Sequence, residues 1–296
     1  FDIGPGDEVI IPPYTFAATA WAPCYVGATP VFAEIDEATF CLCPKAVEKA
    51  ITPKTKAIIA VHLYGHPADT TALRALCDKH GLALIEDAAQ AHGAKLHGKS
   101  AGTLGDVACF SFYPTKNLPA CGEGGGVVTN DAKLAERCRA LRNHGSHRRY
   151  FHDEVGYNYR MEAIQGAVLR IHLKSLSMWN AGRQRLARRY LEKLKETPLL
   201  LPLESEGAES VYHLFTVRHP DAPALRERLK AHNIGFSQHY PRPMHLQPCY
   251  DELGHKAGDF PVSEAASEQC INLPLFPTMT DEQQDRVIEA LRSYFA

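Results

Sequence analysis

Long apolar runs, paired cysteines and an excess of charge are all missing from this sequence of 296 residues. No apolar run approaches the roughly 20 residues that a membrane-spanning helix needs. The N-terminus FDIGPGDEVIIPP has no basic segment followed by an apolar one, which argues against a signal peptide. The formal net charge of -2 gives no electrostatic reason to expect nucleic acid or an anionic membrane as a partner. We therefore expect a cytoplasmic protein that binds neither.

The cysteines and histidines form no recognisable ligand pattern. The nine cysteines are an odd number without a CxxC pair, which favours reduced thiols over a disulfide framework. Among the fifteen histidines, His144, His147 and His152 share one polar loop. A metal in that loop is the alternative to a solvated loop, and we predict no metal site.

Two glycine motifs that bind nucleotides are also absent. The cluster GEGGG at residues 122–126 lacks the GxGxxG spacing of a dinucleotide site and the GxxxxGK[ST] pattern of a P-loop. A nicotinamide-dependent oxidoreductase, which also uses a parallel sheet, is therefore disfavoured, and a test of NAD(H) binding would decide the matter. The glycines instead permit a close backbone approach or a positive φ.

The sequence does contain regular alternation of strand and helix patterns. Apolar runs read as strands in DEVIIP, TPVFAEID, KAIIAVH and LALIEDA, and helical spacing separates them in TFAATAWAPCYVG, PKAVEKAI and DTTALRALCDKHG. Near-continuous apolar strands between helices predict an α/β fold with a mainly parallel sheet that is covered on both faces. DVACFSFYP and GGGVVTN follow without a long helix between them, which predicts a short loop or hairpin within the same sheet.

The second half of the chain predicts a smaller unit. Residues 161–195 have a helical pattern almost throughout, and a strand (VYHLFTVRH) and two helices (APALRERLKAHNIG and DEQQDRVIEALRSYF) follow. We predict a large domain over residues 1–180 and a small C-terminal α+β domain over residues 181–296. The chain opens on the turn GPGDE directly before a strand, so we also expect an N-terminal segment of the large domain to be missing.

Polar residues stand where predicted strands end, which is the edge at which open α/β sheets bind ligands. Asp87 directly follows an apolar strand, and a helix N-cap is its alternative role. Ser111 and Lys116 lie in SFYPTKNL, after the next strand. A pyridine cofactor needs a lysine amine for a Schiff base and a carboxylate that keeps its ring nitrogen protonated. Lys116 and Asp87 together would meet that need.

The sequence resembles the DegT/DnrJ/StrS family of sugar aminotransferases over essentially its whole length. The resemblance rests on EDAAQAHGA, SFYPTKNL, GEGGGVVTND, RNHG…GYNYRMEAIQGAVL and HYPRPMH…INLPLFP. It implies a type I aminotransferase-like large domain that binds pyridoxal 5'-phosphate (PLP), in a homodimer with shared active sites. The implied reaction moves an amino group from L-glutamate to a 3- or 4-keto sugar nucleotide in deoxyamino-sugar or polysaccharide biosynthesis. The related sugar dehydratases carry histidine in place of the lysine, so Lys116 favours aminotransfer.

The resemblance also implies roles for individual residues. Lys116 would bind PLP covalently and move a proton during transfer, and Asp87 would pair with the pyridine nitrogen. The other implied contacts are Phe16 on the cofactor ring, Gln90 near its phenolic oxygen, Ser111 on its phosphate, Asn158 on the phosphate across the dimer interface, and Arg160 and His239 on the substrate. A core position on a helix is the alternative for Phe16, and an interface or surface position is the alternative for Arg160 and His239.

One departure from the family pattern keeps a second hypothesis open. Family members have a further N-terminal segment with an SGT-type turn that binds the PLP phosphate, and this sequence lacks it. The alternative is a non-catalytic regulatory or scaffold homologue, or an inactive fragment, that retains the fold. An upstream in-frame extension encoding that turn would favour the enzyme.

Overall fold

The computed structural model describes residues 1–295. Its strands are β1 Glu8–Ile11, β2 Thr29–Phe32, β3 Thr55–Val61, β4 Ala83–Asp87, β5 Lys95–Leu96, β6 Lys99–Ser100, β7 Val107–Ser111, β8 Gly125–Val128, β9 Ala208–Glu209, β10 Phe215–Arg218 and β11 Cys270–Leu273. Its α-helices are α1 Ala17–Tyr25, α2 Pro44–Ala50, α3 Thr70–His80, α4 Ala132–Arg142, α5 Ala163–His172, α6 Leu176–Leu194, α7 Ala222–Ala231, α8 Pro261–Gln269 and α9 Asp281–Phe295. Short 3₁₀ turns span Leu63–Gly65, Leu173–Ser175, Met244–Leu246 and Pro248–Leu253.

A six-stranded sheet with the order β2-β1-β3-β4-β7-β8 organises the first part of the chain. The strand pairs from β2 to β7 are all parallel, and β7 pairs with β8 in an antiparallel hairpin. The predictions of an α/β fold, of a mainly parallel sheet and of a hairpin at its end are confirmed. The carboxyl ends of β4 and β7, where Asp87 and Ser111 lie, therefore meet at one edge of the sheet.

Both faces of this sheet are covered, as the continuous apolar strands predict. Ile10 and Ile58 belong to one buried cluster, while their chain neighbours Ile11 and Ile59 belong to another. Alternate side chains of a strand point to opposite faces, so the two clusters lie on the two sides of the sheet. None of the helices within residues 1–295 is long and apolar enough to cross a bilayer.

The C-terminal part has its own apolar cluster around the antiparallel pair β10–β11. Leu186 of α6, Phe215 of β10, Leu225 of α7 and Leu291 of α9 are fully buried together in it. The helices predicted over residues 161–195 are present, and α6 passes without a break through our proposed domain boundary between residues 180 and 181. That boundary remains a proposal.

Candidate active site

Asp87 is the last residue of β4, and its carboxylate is held from two sides. The hydroxyl of Thr19, on α1, donates to Oδ2 at 2.6 Å, and the backbone N–H of Ala89 donates to Oδ1 at 3.1 Å. No α-helix starts at this position in the described chain, so the alternative of a helix N-cap is wrong. The two contacts fix the orientation of the carboxylate at the carboxyl edge of the sheet.

Lys116 lies half-buried in the connection between β7 and β8. Its backbone N–H donates to the carbonyl of Tyr113 at 2.9 Å, which anchors the turn. Burial lowers the pKa of Lys116, and the negative charge of Asp87 opposes that shift. The two residues thus lie close enough to interact electrostatically, and burial increases the share of the neutral amine, the form that attacks a carbonyl carbon.

Ser111 and the glycine cluster flank this turn. The Ser111 Oγ accepts a long hydrogen bond of 3.3 Å from the N–H of Tyr113 and keeps its own hydrogen available for donation. None of the glycines at residues 122–126 has a positive φ. A Cβ atom on Gly124 would lie 2.9 Å from the Met161 Sδ. The glycine cluster therefore allows a neighbouring side chain to approach the backbone closely.

Gln90 and Phe16 both reach Tyr240, which comes from the distal HYPRP motif. Buried Gln90 accepts from the backbone N–H of Tyr64 at 2.6 Å and donates through Nε2 to the Tyr240 hydroxyl at 3.1 Å. The ring centre of Phe16 lies 6.0 Å from that of Tyr240. Phe16 directly precedes α1 and is 55% exposed. The alternative of a helix core position is thus wrong, and the ring has a face free for a ligand.

His239 lies next to Tyr240 and is held by Asn272 of β11. Its Nδ1 and its backbone N–H both donate to the Asn272 Oδ1 at 2.9 Å. Its carbonyl accepts the hydroxyl of Tyr14 at 2.6 Å and also that of Tyr64. His239 and Gln90 therefore share Tyr64 as a hydrogen-bond partner, and Gln90 and Phe16 both contact Tyr240.

Asn158 and Arg160 both contact Asn143, the residue that follows α4. Asn158 is exposed and pairs with Asn143 in an isolated antiparallel bridge. The Arg160 guanidinium donates to the Asn143 Oδ1 and to the His144 Nε2, each at 2.9 Å. Within residues 1–295 neither residue makes a hydrogen bond to Asp87, Gln90, Ser111 or Lys116. No group of side chains in the same range is arranged to hold a metal ion.

Thr19 and Tyr240, which contact Asp87 and Gln90, escaped the sequence interpretation, as did Asn117 and its hydrogen-bond partners Asn180 and His213. Thr19 and Tyr240 lie within segments that carry the family resemblance, so a closer look at those motifs could have found them. Asn117 directly follows Lys116, but its partners Asn180 and His213 are far along the chain. No local pattern in the sequence marks them.

The residues around Asp87 fit PLP. An oriented carboxylate can hold the ring-nitrogen proton, a partly desolvated amine can bind the aldehyde carbon, and a hydroxyl at the end of β7 can bind phosphate. The exposed face of Phe16 suits a flat ring. Ala88, which directly follows Asp87, is fully buried and adds no bulk beside it.

Comparison with known proteins gives consistent matches over nearly the whole chain. The "Pleiotropic regulatory protein" of Geobacillus stearothermophilus is 45% identical over 296 residues, which cover 99% of this chain and 80% of that protein. The dTDP-3-amino-3,4,6-trideoxy-alpha-D-glucose transaminase of Streptomyces venezuelae is 48% identical over 293 residues, 99% of this chain and 77% of that one. The crystal structure of S. venezuelae DesV in complex with a ketimine intermediate has a TM-score of 0.97 at 49% identity and covers 99% of this chain and 79% of its own.

A sequence profile of the DegT/DnrJ/EryC1/StrS aminotransferase family matches residues 1–292. The resemblance stated on five motifs is thereby confirmed, together with the type I aminotransferase fold. With the profile spanning this range and the relatives this similar, the chain belongs to the DegT/DnrJ/EryC1/StrS family of PLP-dependent sugar aminotransferases.

Proposed function

We propose that this chain transfers an amino group from L-glutamate to the keto carbon, C3 or C4, of a sugar nucleotide in deoxyamino-sugar or polysaccharide biosynthesis. The observation that carries the proposal is the pairing of oriented Asp87 with partly desolvated Lys116 at neighbouring strand ends. The similarity to a dTDP-amino-sugar transaminase supports a sugar nucleotide as the acceptor.

The cofactor, when bound, would supply an electron sink that makes the substrate carbon bearing the transferred nitrogen acidic. Asp87 holds the proton on the pyridine nitrogen, and Thr19 keeps the Asp87 carboxylate in place. Lys116, as the neutral amine, would take a proton from the donor carbon, and in its protonated form it would return a proton to the acceptor carbon. Phe16 covers one face of the ring, Gln90 binds near the phenolic oxygen, and Ser111 donates to the phosphate.

The acceptor's phosphates would bind cationic side chains. Arg160, with Arg139 and Arg142 of α4, lines a cavity of about 430 Å³ that also contains Glu136 and His147. Arginine is well suited to phosphate because its planar fork can donate two parallel hydrogen bonds. We assign Arg160 and His239 to the anionic or nucleotide part of the substrate, with Arg160→Ala expected to raise the KM for the acceptor.

A homodimer with shared active sites is part of the proposal. Large apolar side chains are exposed at many positions along residues 150–178, namely Tyr150, Phe151, Val155, Tyr157, Tyr159, Met161, Ile164, Ile171, Leu173 and Met178. An exposed apolar segment of this kind is typical of a subunit interface. Because Asn158 would act on the cofactor phosphate of the opposite subunit, mixed dimers of Lys116→Ala and Asn158→Ala should regain one working site. Two inactive variants that stay inactive after subunit exchange would contradict sharing.

The decisive experiment is amination of a panel of keto-sugar nucleotides with L-glutamate as the donor. We expect one acceptor to be aminated, and Lys116→Ala to abolish both turnover and the borohydride-reducible bond to PLP. Lys133→Ala, an exposed lysine on α4, is the matched control and should retain both. An unchanged reducible bond in Lys116→Ala would refute the assignment of that lysine.

A regulatory or scaffold role is the second candidate. The specific observation in its favour is the 45% identity to a protein named as a pleiotropic regulator. The glutamate half-reaction separates the two candidates, since it requires Lys116 but no sugar. PLP binding without any glutamate-dependent change in the cofactor absorbance would favour the regulatory role.

A further inference from the structure

Tyr64 has a backbone conformation that residues with a side chain seldom adopt. It lies in the 3₁₀ turn after β3 with a φ of 59° and a ψ of 9°, in the left-handed region, and its side chain is buried. A bulky residue stays in this region only where the contacts around it hold it there, and such residues are concentrated at functional sites. The hydrogen bonds of Tyr64 lead to two residues of the candidate active site, Gln90 and His239.

The backbone of Tyr64 fixes the orientation of the Gln90 side chain. Its N–H donates to the end of that side chain at 2.6 Å. A backbone N–H can only donate, so the atom that faces it is the Oε1, and the NH₂ group of Gln90 faces the other way. One hydrogen of that group goes to the Tyr240 hydroxyl at 3.1 Å. The second hydrogen has no acceptor within residues 1–295, so it can bond to a ligand.

The turn at Tyr64 also packs closely against the backbone of Gln90. The next residue, Gly65, has a φ of 90°, and a Cβ atom on it would lie 2.8 Å from the Val211 Cγ2 and 3.1 Å from the carbonyl oxygen of Gln90. Only glycine fits at such a position. The turn therefore contacts both the backbone and the side chain of Gln90, which leaves the amide group little room to reorient.

The hydroxyl of Tyr64 reaches His239, in the distal part of the chain. It donates to the His239 carbonyl, which also accepts the Tyr14 hydroxyl at 2.6 Å. A carbonyl oxygen has two lone pairs and can accept both. Burial raises the pKa of both tyrosine hydroxyls well above its ordinary value, so both keep their protons. Asn272 holds the N–H and the ring of His239, and the two tyrosines hold its carbonyl.

We propose that Tyr64 is a positioning residue of the active site, whose backbone N–H directs the NH₂ group of Gln90 towards the cofactor and whose hydroxyl fixes His239 for the acceptor. This role rests on the proposed function, in which Gln90 binds near the phenolic oxygen of PLP and His239 contacts the anionic or nucleotide part of the acceptor. The two contacts join Tyr64 to residues 26 and 175 positions away in the sequence. They use different atoms of Tyr64, so each can be tested separately.

The orientation of Gln90 is tested by PLP titration followed by absorbance. Gln90→Glu keeps an acceptor for the Tyr64 N–H but has no NH₂ group, so a carboxylate oxygen would face the phenolic oxygen of PLP. We expect PLP affinity to fall by about tenfold or more, since repulsion replaces a hydrogen bond. Gln283→Glu is the matched control, because the Gln283 side chain also accepts a backbone N–H, that of Thr280 at 3.0 Å. Unchanged PLP affinity in Gln90→Glu would overturn the proposal.

Both contacts of Tyr64 can be observed in cofactor-free protein by selective labelling. Leu63–Tyr64 is the single Leu–Tyr pair of the sequence, and His239–Tyr240 is the single His–Tyr pair. Labelling with ¹⁵N-tyrosine and with carbonyl-¹³C leucine or histidine therefore gives one coupled NMR signal for each pair. Gln90→Leu should move the Tyr64 amide proton upfield, and Tyr64→Phe should move the His239 carbonyl carbon upfield, because each group loses a hydrogen-bond partner. Signals that do not move would overturn the proposal.

The acceptor side is tested with Tyr64→Phe, which keeps the ring and the backbone N–H. The KM for the aminated sugar nucleotide should rise about fivefold, the effect of one neutral hydrogen bond, while PLP affinity stays unchanged. Tyr190→Phe is the matched control and should leave this KM unchanged, because it removes another buried hydroxyl that donates to a carbonyl, that of Pro274 at 3.0 Å. If Tyr64→Phe lowers the melting temperature but not the acceptor affinity, Tyr64 is purely structural and the proposal fails.

Failure of the proposal and failure of the proposed function give different results. If no sugar nucleotide is aminated, the proposed function fails, and the PLP titration of Gln90→Glu and the two NMR signals still decide the role of Tyr64, because they need neither glutamate nor acceptor. If amination proceeds and these measurements are unchanged, the positioning role alone fails. Should Tyr64→Phe not fold, the two Gln90 variants keep the proposal falsifiable.

Discussion

Thr19 and Asp87, 68 positions apart in the sequence, are joined by a hydrogen bond of 2.6 Å. A carboxylate can only accept, so Thr19 is the donor, and its own oxygen can then accept from Thr15 at 2.9 Å. Thr15 and Thr19 are both buried. Thr19, in the first turn of α1, thus donates to the one carboxylate that the proposed chemistry requires, and Thr15, two residues before the helix, supports it.

The first prediction follows from that contact. Thr19→Val keeps the shape of the side chain but leaves the Asp87 Oδ2 without its donor, so the carboxylate loses its orientation. We expect PLP affinity to fall by about tenfold, in line with the loss of one hydrogen bond to a charged group. Cofactor titration by absorbance measures this, and Thr19→Ser, which keeps the hydroxyl, should bind nearly as the unmutated protein does. Equal affinity in all three proteins would contradict the role of Thr19.

Phe16 offers a test that separates ligand binding from stability. Because the ring is 55% exposed, Phe16→Ala should change the free energy of unfolding little. If the ring stacks on the cofactor, the same variant should weaken PLP binding by up to about tenfold, the usual range for an aromatic pair.

Trp21→Ala is the control for Phe16, because Trp21 lies on α1, which Phe16 directly precedes, with its ring centre 6.4 Å from that of Phe16. It should leave cofactor affinity unchanged in the same titration. A loss of stability in Phe16→Ala, with unchanged affinity, would contradict the stacking role.

The sequence predicted secondary structure correctly where a local residue pattern determines it. The strands of the parallel sheet are apolar runs with Gly, Pro or Asp near their ends, so their number and order of appearance could be predicted. Helix α3 is bounded by Asp69, whose carboxylate accepts from the N–H of Ala72, and by left-handed Gly81, and both signals are visible in the sequence. Parallel order then places Asp87 and Ser111 at one edge without any further information.

The parts that could not be predicted depend on contacts between distant segments. Helix α8 was missed because its buried face is made of small and polar residues, Ser263, Ala266 and Ser267, which give no apolar period. His213 contacts Asn117, the residue after Lys116, across 96 positions of the sequence. The contact of His213 with Asn117 leaves no spacing pattern, since it joins residues that are far apart in the chain.

Glu86, next to Asp87 in β4, provides the third prediction. It is fully buried and accepts from His62 at 2.8 Å and from the backbone N–H groups of Gly102, Leu104 and Gly105 at 2.6 to 2.8 Å. Burial raises its pKa, but these donors outweigh burial and hold the pKa below its ordinary value. Glu86→Gln replaces one carboxylate oxygen, an acceptor, with an NH₂ group that would face the surrounding N–H donors. We therefore expect a loss of about 3 kcal/mol in the free energy of unfolding.

Urea denaturation measures the effect at Glu86 and in its control. Glu209→Gln removes an exposed carboxylate that lies 3.5 Å from the Lys95 Nζ, and an exposed pair contributes less than about 1 kcal/mol. If both variants lose the same small amount, the buried contacts of Glu86 do not stabilise the fold as we infer.

His92 gives the last prediction, on the pH dependence of stability. Burial, helped by the charge of Lys116, lowers its pKa from 6.5 to about 4. As pH falls from 6.5 to 4 the unfolded chain binds a proton that the folded protein does not, so the free energy of unfolding decreases by roughly 3 kcal/mol. The ring of His92→Phe can keep the packing against Phe110 and Phe112. This variant should reduce the slope of the free energy of unfolding against pH by up to about one proton, measured by urea denaturation at several pH values. His66→Phe removes a second buried histidine with a pKa of about 4 and should reduce the slope equally, so an unchanged slope in either variant would contradict the burial argument.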